Sequence, residues 1–167
     1  MSKKLTVTLH KSELMYEIEN KTYLTGKGRD TGANFEQVAN MQASKEEEHK
    51  NQILRSMGNA FDALKAKASN YLSGTGVATN NIQIDMTVTT LILELEMPDN
   101  FNFGMSDSVK AALHKYIVNI CLFDWFVIAK PDEAKVYSDL SQNDLNDLRE
   151  ALNKRVRPTR TDPNSIV

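Results

Sequence analysis

Residues 53–71 read Ile53-Leu54-Arg55-Ser56-Met57-Gly58-Asn59-Ala60-Phe61-Asp62-Ala63-Leu64-Lys65-Ala66-Lys67-Ala68-Ser69-Asn70-Tyr71. Within them Ile53, Met57, Phe61, Leu64, Ala68 and Tyr71 recur at intervals of 4, 4, 3, 4 and 3. That is one apolar stripe on the 3.6-residue period of an α-helix. Upstream, Phe35, Val38 and Met41 continue the stripe, but Lys45-Glu46-Glu47-Glu48-His49-Lys50 is charged on every face. The helical region from about residue 34 to Leu72 therefore holds either a solvated stretch of one long helix or a break between two.

On either side the period changes to two. Leu5, Val7 and Leu9 alternate with Thr6, Thr8 and His10, which predicts a half-buried strand. Ile82, Ile84, Met86 and Val88 alternate likewise, and from Leu91 the phase flips so that Leu91, Leu93, Leu95 and Met97 carry the apolar face. A β-bulge or a break near Thr89-Thr90 accounts for the flip, and Pro98 closes the strand. Ser12 predicts a helix N-cap, with Leu14, Met15 and Ile18 inward, and Gly26 predicts its stop after Leu24. A mobile, mildly basic loop follows over 25–32, carrying Lys27 and Arg29.

After Phe101-Asn102-Phe103-Gly104, Ser106 predicts the cap of a helix to about Ala129, with Asp107 at its positive end. Residues 117–128 are apolar round nearly the whole circumference, as in a helix buried in a core or at a subunit contact. Beyond Lys130-Pro131 a last helix carries Val136, Tyr137, Leu140, Leu145, Leu148 and Leu152. The expected fold is α+β: a small antiparallel sheet packed against several helices, one of them long. Residues 3–153 make one domain, and 154–167 make a basic, proline-containing C-terminal arm with Pro158 and Pro163, extended in conformation.

The chain has 167 residues, 41% apolar and 25% charged, with a formal net charge of −2. Those values fit one globular domain and exclude wholesale disorder. A near-neutral balance argues against a protein dedicated to coating DNA. The single cysteine makes no internal disulfide and no Cys-based zinc site. The start, Met1-Ser2-Lys3-Lys4, is basic but leads into no apolar signal region. The most apolar stretch, 116–129, contains Asn119 and Asp124 and falls short of the ~20 residues of a membrane span. An intracellular location, or an assembly built inside a cell, is expected.

Several arrangements invite a chemical reading. The loop Gly26-Lys27-Gly28-Arg29-Asp30-Thr31-Gly32 could cradle a phosphate, but it follows a helix and lacks the P-loop spacing. His114 and Cys121 share a helix face, yet seven residues is about 10 Å of axial rise, too far for a nucleophile–base hydrogen bond. His10 and His49 stand outside any metal-ligand spacing. No pair of carboxylates lies in apolar surroundings that would set up acid–base work. The expectation is no enzyme, no cofactor, no metal and no small-molecule substrate.

Contacts are better signalled than chemistry. Residues 132–153 carry two cations against six acids, and the next seven carry Lys154, Arg155, Arg157 and Arg160. A basic arm behind an acidic helix suits docking on a neighbour's acidic surface, or serves simply as a solubilising tail. Phe123, Trp125 and Phe126 point in different directions from one helix, so a thin core would struggle to bury all three. They are interface candidates together with Arg155, Arg157 and Arg160. Lys27 and Arg29 are candidates for a channel or partner loop.

The runs Glu19-Asn20-Lys21-Thr22-Tyr23-Leu24-Thr25-Gly26, residues 52–61, His114-Lys115-Tyr116-Ile117-Val118-Asn119-Ile120, Asp124-Trp125-Phe126 and Asn153-Lys154-Arg155-Val156-Arg157-Pro158 span most of the chain. They resemble small proteins of the tail and neck modules of Bacteroidetes phages and prophages, the crAss-like tailed phages among them. The resemblance implies a virion structural protein: a subunit of a head-to-tail connector (neck) ring, or of a tail-completion ring. It implies a homo-oligomer whose arm and aromatic helix touch neighbours, with adjacent portal, neck or tail proteins as partners. The Lys27/Arg29 loop would then face non-specific DNA in the channel or the next ring. It also implies assembly in the host cytoplasm and residence in the virion, with no membrane. The alternative from another class is a free cytoplasmic regulatory or DNA-associated protein that uses the arm and loop as phosphate contacts.

Overall fold

The computed structural model describes residues 2–73 and 87–158. The chain runs β1 (Lys3–His10), α1 (Lys11–Gly28), α2 (Phe35–Met41), α3 (Glu47–Lys67), β2 (Thr90–Met97), a 3-10 turn (Phe103–Met105), α4 (Ser106–Ala129) and α5 (Pro131–Asn153). It is an α+β fold, with a two-stranded antiparallel sheet and five α-helices among the described residues.

The alternation read in the two strands sets their register. Leu5 lies opposite Leu95, Val7 opposite Leu93 and Leu9 opposite Leu91, and all six are buried on one face. The other face sets Lys4 opposite Glu96 and Thr6 opposite Glu94, a polar ladder suited to solvent. The outer edge of β2 is covered where Ser73 N–H donates to Glu94 O at 3.0 Å and Glu96 N–H donates to Tyr71 O. Half-buried Val88 precedes β2, which opens at Thr90, the place of the expected break; Ile82, Ile84 and Met86 lie outside the described residues.

The region 34–72 is two helices and not one. The break spans 42–46, where Ala43 N–H donates to Thr22 Oγ1 and Ser44 N–H donates to His49 Nδ1, and the charged run from Glu47 onward forms the first turn of α3. Ile53, Met57, Phe61, Leu64 and Ala68 form the buried stripe as read, and α3 ends at Lys67, so that Tyr71 and Leu72 turn onto the sheet.

Gly26 does not stop α1, which continues to Gly28. It is instead a point of close approach. A Cβ there would lie 3.1 Å from Val38 O and 3.1 Å from Gln42 Cγ. One helical turn earlier, buried Thr22 accepts a hydrogen bond from Ala43 N–H at 3.0 Å. The Leu14, Ile18, Thr22, Gly26 row thus seats α1 on the sheet side of the core and on α2. The helix also starts two residues earlier than Ser12 predicts, with His10 at the cap position and no side-chain cap bond.

α4 is the hub. With its preceding 3-10 turn it makes a 27-residue helical stretch, long and apolar enough to cross a membrane, but more than half of its most apolar 18 residues are buried within the fold. α5 lies along one side, α3, α1 and β1 along others. That position explains its apolar circumference. Lys130 is extended (φ −159°, ψ 92°), as a residue before proline must be, and Pro131 opens α5 at N1. In α5, Leu145, Leu148 and Leu152 are buried as expected, whereas Val136 and Leu140 point to solvent.

Candidate functional site

α1 and α5 run antiparallel across α4, and two bonds fix their shared end. Thr25 Oγ1 lies 3.2 Å from Tyr137 Oη, and Arg29 pairs with Glu133 at 2.7 Å. The end of α4 and all of α2 lie at this same pole, because Trp125 Nε1–H donates to Met41 O at 2.9 Å. Of the ten large apolar side chains exposed among the described residues, Tyr23, Leu24, Phe35, Val127, Ile128, Val136 and Leu140 belong to these elements. Tyr16, in the first half of α1, Phe103 and Val156 are the other three. Concentration of exposed apolar side chains at one pole is the pattern of a contact surface.

A cavity of about 400 Å³ opens in that pole, lined by Asn40, His49, Trp125, Ile128 and Ala129. Its walls are held firmly. The His49 ring meets Trp125 edge-on at 4.8 Å and 81°. Ser44 N–H donates to His49 Nδ1 at 3.1 Å, so in this arrangement that nitrogen is unprotonated and accepting. Phe35, at the start of α2, is 75% exposed, and Ile128 is 74% exposed.

A polar seam runs between α1, α4 and α5. His114 Nε2 lies 2.6 Å from Glu17 Oε2, and Lys21 lies 2.8 Å from Glu17 Oε1. Burial pushes the Glu17 carboxyl up, but the bonds from Lys21 and His114 outweigh it and leave its pKa below the usual carboxylate range. Deeper in the seam, Asn119 Nδ2–H donates to Asp144 Oδ2 at 2.6 Å. Burial holds Asp144 above its ordinary pKa despite that bond and the nearby Lys115. Asp124 is also raised by burial, against a hydrogen bond from Ser56, and burial pushes the Cys121 thiol far up. A thiol so placed is a core filler and not a nucleophile. Among the described residues no cluster of three metal-ligating side chains occurs.

The residues singled out in the sequence distribute unevenly. Trp125 and Phe126 are buried in this chain's own core, with Phe126 stacked on Tyr137 at 5.3 Å and 5°. Phe123 is half-buried against the same core. The core takes Trp125 and Phe126 because α4 is enclosed by α5, α3, α1 and β1, whereas Phe123 stays only partly covered. Arg155 is not a free arm residue. It bridges to Phe101, donates from Nη1 to Leu152 O at 2.8 Å, and lies 3.5 Å from Tyr71 Oη. The first arm residues belong to the fold, since Val156 N–H donates to Asn100 O and Asn102 N–H donates to Lys154 O. Arg157 is exposed, and Arg160 lies outside the described residues. Lys27 closes the last turn of α1, 6.0 Å from the Tyr23 ring, and Arg29 is held by Glu133. The loop thus presents one engaged cation and one lysine at the apolar pole.

Sequence reasoning missed the pole and the seam. Val136 and Leu140 gave one signal, sitting off the Leu145–Leu148–Leu152 face. Asn119 gave another, as an amide in an apolar helix that needs a buried partner. Compared with known proteins, the chain matches no family model, no curated protein and no solved structure.

Proposed function

We propose that this chain is a virion structural protein of a Bacteroidetes phage, a subunit of a head-to-tail connector ring or of a tail-completion ring. It acts by contacts with its own copies and with adjacent portal, neck or tail proteins, not by catalysis. The observation that supports this reading is the apolar pole: seven of the ten large apolar side chains exposed among the described residues belong to α2, the first half of α5 and the last turns of α1 and α4. The sequence resemblance supplies the setting, and the pole supplies a surface suited to permanent assembly, because exposed apolar area of this kind is a liability in a protein that stays free. The inert Cys121 and the internally engaged Glu17–His114 pair agree with a role in contact.

The test is composition of purified virions by quantitative mass spectrometry, with a deletion of the gene in the phage. The expected result is a fixed copy number per particle, with filled heads and tails that fail to join in the deletion. Particles that lack the chain, with infectivity unchanged by the deletion, would overturn the reading. Salt-sensitive retention of the purified chain on DNA, without incorporation into particles, would establish the regulatory alternative in its place.

A further inference from the structure

The two edges of the sheet differ in how they are closed. Lys11 N–H donates to Thr89 O, so in this register the odd-numbered residues of β1 bond to β2. The even-numbered ones turn their N–H and C=O groups the other way. On β2 the same parity turns Glu94 and Glu96 outward, where Ser73 N–H donates to Glu94 O and Glu96 N–H donates to Tyr71 O. On β1 it turns Lys4, Thr6 and Thr8 outward. Among the described residues, the outward backbone groups of these three meet no partner. A free edge is ordinarily blunted by a charge, a proline or a bulge. Leu5-Thr6-Val7-Thr8-Leu9 holds no charge and no proline, and its register runs without a bulge.

We propose that β1 pairs with β1 of a second copy, antiparallel, with Thr6 facing Thr6 across a two-fold axis. An edge of unpaired N–H and C=O groups takes an extended backbone as its partner. The side chains select this strand and this register. Lys4 of each copy lies opposite Thr8 of the other, so every outward group of Lys4, Thr6 and Thr8 finds its complement. Leu5 comes beside Val7 of the second copy on the core face, and threonine meets threonine on the polar face. No like charges stand opposite one another. The register centred on Val7 would set Lys3 against Lys11, and the one centred on Leu5 would match that leucine alone. The two-stranded sheet becomes a four-stranded one, with a single apolar face over the helices of both copies. The contact closes with two copies and uses none of the side chains of the apolar pole, so it goes beyond the function proposed above and does not depend on it.

Sedimentation velocity of the full chain over a concentration series tests the pairing. Thr6→Pro deletes an outward N–H and no bond of the β1–β2 ladder, so the fold is kept, which circular dichroism checks. The wild-type chain is expected to form pairs, and Thr6→Pro to associate about tenfold more weakly or worse. Thr6 is exposed, so Thr6→Lys and Thr6→Glu also keep the fold. Each alone sets like charges at the axis and is expected to pair weakly, and mixed one to one they are expected to pair again. Wild-type chain that stays monomeric at every concentration overturns the proposal. So does Thr6→Pro that pairs like wild type, which would place association elsewhere on the surface, and so does a mixture no tighter than its components. Loss of the pair alongside a fixed copy number in virions rejects this contact and leaves the functional reading standing. A restored pair in the mixture with virions lacking the chain does the reverse.

Discussion

Replacing Gly26 by alanine sets two effects of similar size against each other, and the structure decides the sign. Inside a helix, alanine is favoured over glycine by about 1 kcal/mol, so an unobstructed change would stabilise. At Gly26 the new Cβ would stand 3.1 Å from Gln42 Cγ, 3.2 Å from Gln42 Nε2 and 3.1 Å from Val38 O. The Gln42 side chain can swing aside. The Val38 carbonyl cannot, because it belongs to the backbone of α2 and Val38 itself is buried. Relief requires α2 to back away by several tenths of an ångström, which loosens Val38 and Met41 against the core. Overpacking of this kind costs about 1–3 kcal/mol. The net expectation is a loss of about 1 kcal/mol, or about 0.5 M in urea midpoint for a slope of ~2 kcal/mol/M. Gly28→Ala is the internal control, since a Cβ there meets nothing within 4 Å, and it should stabilise by a few tenths of a kcal/mol. Amide exchange in the Gly26 variant should quicken within α2 and leave α3 unchanged. A midpoint that rises for Gly26→Ala as much as for Gly28→Ala would refute the reasoning.

Three further outcomes follow from the same geometry. Asn119→Ala strips Asp144 of its buried donor and should cost about 1–3 kcal/mol at neutral pH. Asp144 is already raised by burial, so its folded-state pKa lies above the unfolded value, and stability is lost as pH rises through it. The gap between variant and wild type should therefore narrow in urea titrations taken at progressively lower pH. Glu17 is depressed, so its contribution is present above the unfolded carboxylate pKa and is lost as pH falls through the folded value. Glu17→Gln should flatten the acid limb of a thermal stability profile, and an unchanged limb would exclude the Lys21–Glu17–His114 chain as its source. Arg155→Gln removes the cation donating to Leu152 O at the end of α5 and should cost about 1 kcal/mol, read as a fall of ~2–4 °C in Tm.

Elements whose burial repeats at their own local period were legible in the sequence. β1, the stripe of α3 and the boundary at Lys130-Pro131 all stand where the residues put them. Gly26 was misread because glycine as a helix stop is a local inference, whereas its reason here is a carbonyl twelve residues further along the chain. The burial of Trp125 and Phe126 was not legible because the sequence does not say how many neighbours surround α4. Arg155 reads as a surface charge until the chain turns back to set Leu152 O and Tyr71 beside it. The Asn119–Asp144 bond spans two helices, so neither residue alone disclosed it.

The pairing of β1 with β2 bears on how the chain is made. Leu5, Val7 and Leu9 leave the ribosome early, but their partners Leu95, Leu93 and Leu91 lie more than eighty residues downstream. At ~5–20 residues per second, the first strand waits roughly 4–17 s for the second to be synthesised. α4, against which β1 and α3 pack, comes later still. During that interval the nascent chain carries an apolar strand with no sheet to join. Fragments that end before α4 should therefore aggregate or be degraded, and the smallest unit that folds is close to the whole described chain.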